Sequence, residues 1–307
     1  MTKREITLWQ LRTRALELGR RTLVMGIVNI TPDSFSDGGS SYATEAAVAR
    51  SLQWLDEGAD ILDLGAESTR PGAQAGGAVG TPSAPAVSAG EEQARLLPVL
   101  EAILKERPQA VLSVDTYKAA TARAACTAGA EIVNDVSGFS WDSEMAQACA
   151  EARCGMVLMH TRGRPEEWRT QPQLASDVLL ATVQAGLRAS LGRAAQAGMT
   201  LDSIVLDPGY GFGKSYEENF ALLARQEKLL RLGRPLLAGL SRKSFLGRAL
   251  ASLHGGEDAP VDERESATVA ALVAAILHGA SIVRVHAVRP AVEASRIADA
   301  VLAGGEV

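Results

Sequence analysis

The chain has 307 residues, 47% of them hydrophobic, which is enough to bury a large core. Its net charge of −5 excludes a sequence-independent nucleic-acid binder, which needs a basic face, but not a small anion held by a few Arg and Lys side chains. Three cysteines, Cys126, Cys149 and Cys154, form no Cys-x-x-Cys pair and are expected as buried thiols in a reducing cytoplasm. No apolar run precedes residue 22, and the most apolar stretch, Ala267 to Leu277, is too short to span a membrane. A soluble, cytoplasmic protein with neither membrane nor nucleic-acid partner is expected.

From Leu23 the pattern is strand, loop, helix, repeated. Leu23–Ile30 is an apolar run, followed by the loop Thr31-Pro-Asp-Ser-Phe-Ser-Asp-Gly-Gly39. Helical periodicity spans Ala43–Glu57, and Gly58 ends it. Ile61–Leu64 leads to Gly65-Ala-Glu-Ser-Thr-Arg-Pro-Gly72, and an Ala/Gly/Pro-rich segment, Ala73–Val87, reads as a flexible loop. Ser88 with Glu91 three residues on predicts a capping box for a helix through Lys105. Val111–Val114 leads to Asp115 and a helix over Lys118–Ala128. Ile132–Val133 leads to Asn134-Asp135 and a helix over Ser143–Ala152. Met156–Met159 ends at His160, and one or two helices fill Leu174–Ala197.

The next unit is Ile204-Val-Leu-Asp-Pro-Gly-Tyr-Gly-Phe-Gly-Lys214, a buried strand running into a carboxylate and alternating glycines. It is not a Walker loop, because Pro208 stands where that motif needs Gly. Nor is it a dinucleotide fingerprint, because Gly209, Gly211 and Gly213 are spaced G-x-G-x-G. A helix over Tyr216–Arg231, a strand over Leu236–Leu240 and the loop Ser241-Arg-Lys-Ser-Phe245 follow. The last unit is Ile282–Val285, with Arg284 and His286, and a helix to Leu302. Alternation of this kind implies parallel strands covered by helices, and eight units favour a closed (β/α)8 TIM barrel over an open sheet. Residues 22–307 then form one barrel domain, with residues 1–21 as an N-terminal extension over its bottom.

In such a barrel the site lies at the C-terminal ends of the strands. Those ends carry Asn29, Asp63, Asp115, Asn134, His160, Asp207, Lys243 and the pair Arg284/His286. Singly, each has a structural reading: Asp63, with Glu67 and Arg70 following, as part of a loop salt bridge, and His160 as a hydrogen-bonded core imidazole. Together they call for a ligand, since buried polar groups cost free energy unless partnered. Asp115, Asn134 and Asp207 suit the N–H edge of a heterocycle, and Lys243 suits a ring carbonyl or nitrogen. Arg284 suits a ring face or an anion. Asn29, Arg284 and His286 suit a phosphate or its Mg2+. No zinc-ligand spacing is present.

The stretches Met25-Gly-Ile-Val-Asn-Ile-Thr-Pro-Asp-Ser-Phe-Ser-Asp-Gly-Gly39, Glu67-Ser-Thr-Arg-Pro-Gly72, Asn134-Asp-Val-Ser-Gly138, Asp207–Lys214, Gly239-Leu-Ser-Arg-Lys-Ser-Phe245 and Arg284-Val-His286 resemble those of the dihydropteroate synthases, in order and nearly end to end. The resemblance implies a transferase of folate biosynthesis that condenses 6-hydroxymethyl-7,8-dihydropterin pyrophosphate with p-aminobenzoate, uses Mg2+ and is a sulfonamide target. It implies Asp115, Asn134, Asp207, Lys243 and Arg284 at the pterin, and Asn29, Arg284 and His286 at the pyrophosphate, with Asn29 at the metal. Phe35, Thr69, Arg70, Pro71, Phe212 and Ser244 would line the p-aminobenzoate pocket. Asp33, Asp37 and Arg70 on loops would act in catalysis with Lys243, Arg284 and His286, and a homodimer is implied. The near-apolar stretch Ser266–Leu277 also suggests a helix covered by a second copy.

Three positions depart from the family pattern. Ala66 stands where the second of two glycines is usual, Ala287 replaces the usual Asp after His286, and the Ala73–Val87 loop is long. A non-catalytic pterin-binding paralogue and a pterin-dependent methyltransferase are the competing readings.

Overall fold

The computed structural model describes residues 4–30, 40–67 and 87–304. A two-stranded antiparallel hairpin opens it, β1 (Thr7–Gln10) and β2 (Ala15–Leu18). There follow β3 (Leu23–Asn29), α1 (Ser40–Asp56), β4 (Ile61–Gly65), α2 (Ala89–Glu106), β5 (Leu112–Asp115), α3 (Ala119–Ala128), β6 (Ile132–Asp135) and α4 (Met145–Ala152). The second half is β7 (Gly155–Met159), α5 (Ser176–Gln196), β8 (Ile204–Asp207), α6 (Tyr216–Leu223), β9 (Leu236–Ala238), α7 (Ser244–Ala249), α8 (Glu265–Leu277), β10 (Ala280–Val285) and α9 (Val288–Gly304). Strands β3 to β10 close into a barrel in sequence order, every pair parallel. This is the (β/α)8 architecture the alternation predicts.

Alternation along each strand sorts the core into two layers. Leu62, Val133, Leu158, Leu206 and Val283 face outward and pack with helix residues such as Leu96, Leu100 and Leu187. Ile61, Ile132, Val157, Val205 and Ile282, one position away, face the barrel axis. The hairpin joins this inner cluster through Trp9, Leu11 and Leu18, and the Trp9 indole N–H donates to the Ser203 carbonyl at 2.9 Å. It closes the N-terminal end of the barrel, which leaves the C-terminal end as the open mouth.

Helix α2 carries the predicted capping box: the Ser88 hydroxyl accepts from the Glu91 N–H, and the Glu91 carboxylate accepts from the Ser88 N–H. The segment 174–197 holds a single helix, α5 (Ser176–Gln196). The helix expected over Tyr216–Arg231 instead stops at Leu223 and resumes as a 3-10 turn over Gln226–Leu232. The break buries Gln226, whose amide accepts from the Tyr210 hydroxyl at 2.7 Å and donates to the Ala275 carbonyl at 3.0 Å. A continuous α-helix would have to give up those bonds or leave them strained. The strand expected over Leu236–Leu240 ends at Ala238, so Lys243 stands on the following loop as the residue before α7.

Candidate active site at the barrel mouth

Residue parity decides which strand-end side chains enter the mouth. Asp63 follows Ile61 by two, Asn134 follows Ile132, Asp207 follows Val205 and Arg284 follows Ile282, so each continues an axis-facing row. Asp115 sits in register with Gly65 on one side and Asn134 on the other. The chain thus brings together four of the five residues predicted for a ring from the strands themselves, and Lys243 joins them from its loop.

Arg284 is the hub. Its Nε–H donates to Asp63 Oδ2 at 2.6 Å and its Nη2 donates to Asp115 Oδ2 at 2.6 Å. Asn134 donates from Nδ2 to the same Asp63 oxygen at 2.9 Å. Burial works against the Arg284 charge, but Asp63 and Asp115 outweigh it and raise its pKa. Burial pushes the Asp115 carboxyl up to about 7, with Arg284 pulling the other way and Asp63 adding to the rise. Asp207 is also raised by burial, opposed by the Gly209 N–H that donates to its Oδ1 at 2.7 Å and by the Lys243 charge.

Lys243 is drawn down to about 8 by burial, with Arg284 acting the same way and Asp207 and Asp115 opposing. Its Nζ lies 4.0 Å from the centre of the Phe212 ring, a cation–π contact that joins the glycine loop to the loop before α7. Ser244, the first residue of α7, is exposed beside it. Ser241 Oγ lies 3.0 Å from His286 Nδ1 and accepts from the His286 backbone N–H at 3.2 Å. Asn29 is exposed at the mouth, and its carboxamide makes no hydrogen bond among the described residues. Asp33, Phe35, Asp37, Thr69, Arg70 and Pro71 lie outside the described residues.

His160 does not join this group. It falls on the helix-facing parity of β7, and its buried ring packs against Gly186 of α5. Its Nδ1 has no hydrogen-bond partner among the described residues, and burial with the Lys214 and Arg162 charges holds its pKa well below the usual value. It is a core imidazole, and the parity of the β7 run was the signal for that.

Several supporting residues were given no role by the sequence pattern, although Glu67 and Lys214 lie within its motifs. Lys214 is buried under the glycine loop, donating to the Gly209 carbonyl at 2.7 Å and to those of His160 and Phe212 at 3.3 Å. Asn219 accepts the Gly211 N–H at 2.7 Å. Glu67, which closes the β4 segment, accepts from Lys118 at 2.5 Å and from the Tyr117 hydroxyl at 3.1 Å. Asp63 was visible as a strand-end acid, and among the described residues its partners are Asn134 and Arg284, the latter two strands away on β10.

A barrel with this mouth is matched by the model for pterin binding enzymes over residues 25–286. The dihydropteroate synthase of Bacillus subtilis is 42% identical, over 95% of this chain and 93% of its own. That of Escherichia coli K12 is 39% identical over 92% and 93%. Among solved structures, Xanthomonas albilineans dihydropteroate synthase with 4-aminobenzoic acid superposes with a TM-score of 0.83 at 40% identity, covering 97% and 99% of the two chains. The Yersinia pestis enzyme in a sulfonamide drug complex gives 0.84 at 36% identity, covering 97% and 100%. The chain belongs to the pterin-binding enzymes and, within them, to the dihydropteroate synthases.

Proposed function

We propose that the barrel mouth joins 6-hydroxymethyl-7,8-dihydropterin pyrophosphate to p-aminobenzoate, giving 7,8-dihydropteroate and pyrophosphate in folate biosynthesis. The observation that carries this reading is the cluster of buried Asn134 and Asp207 with half-buried Asp115, Lys243 and Arg284, which gathers acceptors, an amine and a guanidinium at the barrel mouth. Such a set suits a flat ring with N–H donors on one edge and a carbonyl on the other.

In the reaction the amine nitrogen of p-aminobenzoate forms a bond to the exocyclic methylene carbon of the pterin. The carbon–oxygen bond to pyrophosphate breaks with its electron pair leaving on oxygen, and the nitrogen sheds a proton to solvent. A weak aniline nucleophile gains most from stabilisation of the departing charge. Arg284 and His286 at the end of β10 are the cationic and hydrogen-bonding groups for that role, with Asn29 at the end of the neighbouring strand β3. Phe212 and Ser244 flank Lys243 and would form one wall of the p-aminobenzoate pocket. The parts assigned to Asp33, Phe35, Asp37, Thr69, Arg70 and Pro71 rest on their motifs. Sulfonamides, which imitate p-aminobenzoate, are expected to compete there.

Mg2+ fits the Asn29 position. The carboxamide is exposed at the mouth with no hydrogen-bond partner among the described residues, and Mg2+ binds hard oxygen ligands while keeping several waters and phosphate oxygens. When bound, the ion would offset the charge that builds on the leaving pyrophosphate. We place the protein in the cytoplasm, where its three buried thiols stay reduced. Among the described residues no helix is long and apolar enough to cross a membrane.

The test is pyrophosphate release from the pterin pyrophosphate with and without p-aminobenzoate. Release that depends on p-aminobenzoate, is lost with EDTA and returns with Mg2+ is the expected result. Ring binding with no turnover would instead favour the non-catalytic paralogue.

A further inference from the structure

The proposed function leaves Asp63 without a task, although it is among the most buried charges in the chain. It is fully enclosed in the barrel, and its Oδ2 accepts from both Arg284 and Asn134 while its Oδ1 has no hydrogen-bond partner among the described residues. As a stabilising device this is a poor choice. A buried ion pair seldom outperforms an apolar replacement, and an unpaired carboxylate oxygen adds cost. Arg284, moreover, already has Asp115 as a counter-charge.

The register shows what the arrangement does accomplish. Asp115 and Asn134 are level with each other and with Gly65, whereas Asp63 stands two residues deeper on β4, level with Ser113. It lies one layer below the groups that would touch a ring, and it reaches the ring only through them. An asparagine carboxamide can be turned either way round, exchanging its acceptor for its donor. With one N–H committed to Asp63, the reversed orientation would set the Asn134 carbonyl against a carboxylate. The carbonyl oxygen and the second N–H are therefore held away from Asp63. The guanidinium of Arg284 is fixed likewise, by one carboxylate at Nε and another at Nη2.

On the basis of the proposed function, we infer that Asp63 is a positioning residue for ring selectivity. It sets the Asn134 carboxamide so that its oxygen accepts from the exocyclic amine of a 2-amino-4-oxopyrimidine edge, and so rejects rings that carry a carbonyl there. The amine is a donor and the carbonyl an acceptor, so the same fixed oxygen welcomes one and repels the other. Selectivity of this kind depends on the asparagine being unable to turn round, and Asp63 is the group that prevents it.

The test compares pterin with lumazine, its 2-oxo counterpart, by calorimetry on the full chain. The wild type should prefer pterin about tenfold or more, as expected when a buried acceptor is left facing another acceptor. Asp63→Asn, a neutral isostere that can itself turn and pair with either end of Asn134, should lose most of that preference. Its KM for p-aminobenzoate at saturating pterin pyrophosphate should stay unchanged, which a general loosening of the barrel would not allow. A D63N protein that folds by circular dichroism and keeps the full preference overturns the inference. So does a wild type that binds both rings equally, and that comparison stands whether or not the variant folds. A wild type that binds neither ring removes the proposed function and this inference with it.

Discussion

Gly209 and Gly233 offer a controlled pair for measuring how tightly the glycine loop is built. Both occupy the left-handed region, with φ of 69° and 72°. Alanine at either position pays the left-handed penalty of about 1–2 kcal/mol. At Gly233 an added Cβ meets nothing within 4 Å, so that penalty is the whole cost. At Gly209 it would fall on the carbonyl oxygen of His160, with the His160 carbonyl carbon and Met159 Cγ each at 3.0 Å. The oxygen belongs to the backbone and cannot rotate aside, so overpacking adds about 1–3 kcal/mol. Gly209→Ala should therefore lose clearly more stability than Gly233→Ala in equilibrium urea denaturation, read as the shift in midpoint. The Gly209 N–H also donates to Asp207 Oδ1, so displacement of the loop carries the carboxylate with it. Pterin affinity should fall in the first variant and hold in the second. Equal stability losses, or unchanged pterin binding in Gly209→Ala, would refute the reasoning.

Asp207→Asn keeps the shape but replaces a charged acceptor with an amide, and charge-assisted hydrogen bonds are worth about 1.5–3 kcal/mol, so pterin affinity should drop about tenfold to a hundredfold by calorimetry. Pterin binding should also follow a bell-shaped pH profile. Below about 7 Asp115 takes up a proton and loses its charge, and above about 8 Lys243 gives one up, so affinity should peak between the two; Asp115→Asn should move the acid limb to lower pH, where Asp207 remains to titrate. The homodimer that the family resemblance implies is expected to use the α8–α9 face, where Ile297 and Val301 are exposed and Val269 and Val273 are half-buried. Sedimentation showing a monomer at micromolar concentration would count against it.

Much of this protein could be read from the chain itself, because it depends on local physics. Apolar runs alternating with periodic helical segments locate eight strands, and the same alternation implies that they run parallel. The Ser88–Glu91 capping box and the polar groups at strand ends are equally local. Parity could have gone further: the two-residue steps Ile61–Asp63, Ile132–Asn134, Val205–Asp207 and Ile282–Arg284 mark the axis-facing rows, and they leave His160 on the other face.

What only the tertiary structure decided involves residues far apart in the chain. The hairpin β1–β2 has strands of four residues, with Leu8 exposed and Trp9 buried, too short and too mixed to show a period, and it exists because Trp9 fills the bottom of the closed barrel. Helix α6 ends early because Gln226 finds partners on Tyr210 and Ala275, which no window of neighbouring residues contains. Lys243 enters the site from a loop because β9 is cut to three residues. The pairing of Asp63 with Arg284 spans 221 residues. It arises when β10 closes against β3, which puts the last strand beside the first and carries a guanidinium into the reach of an acid two strands away. A charge can be seen in a sequence, but its partner is set by the closure of the barrel.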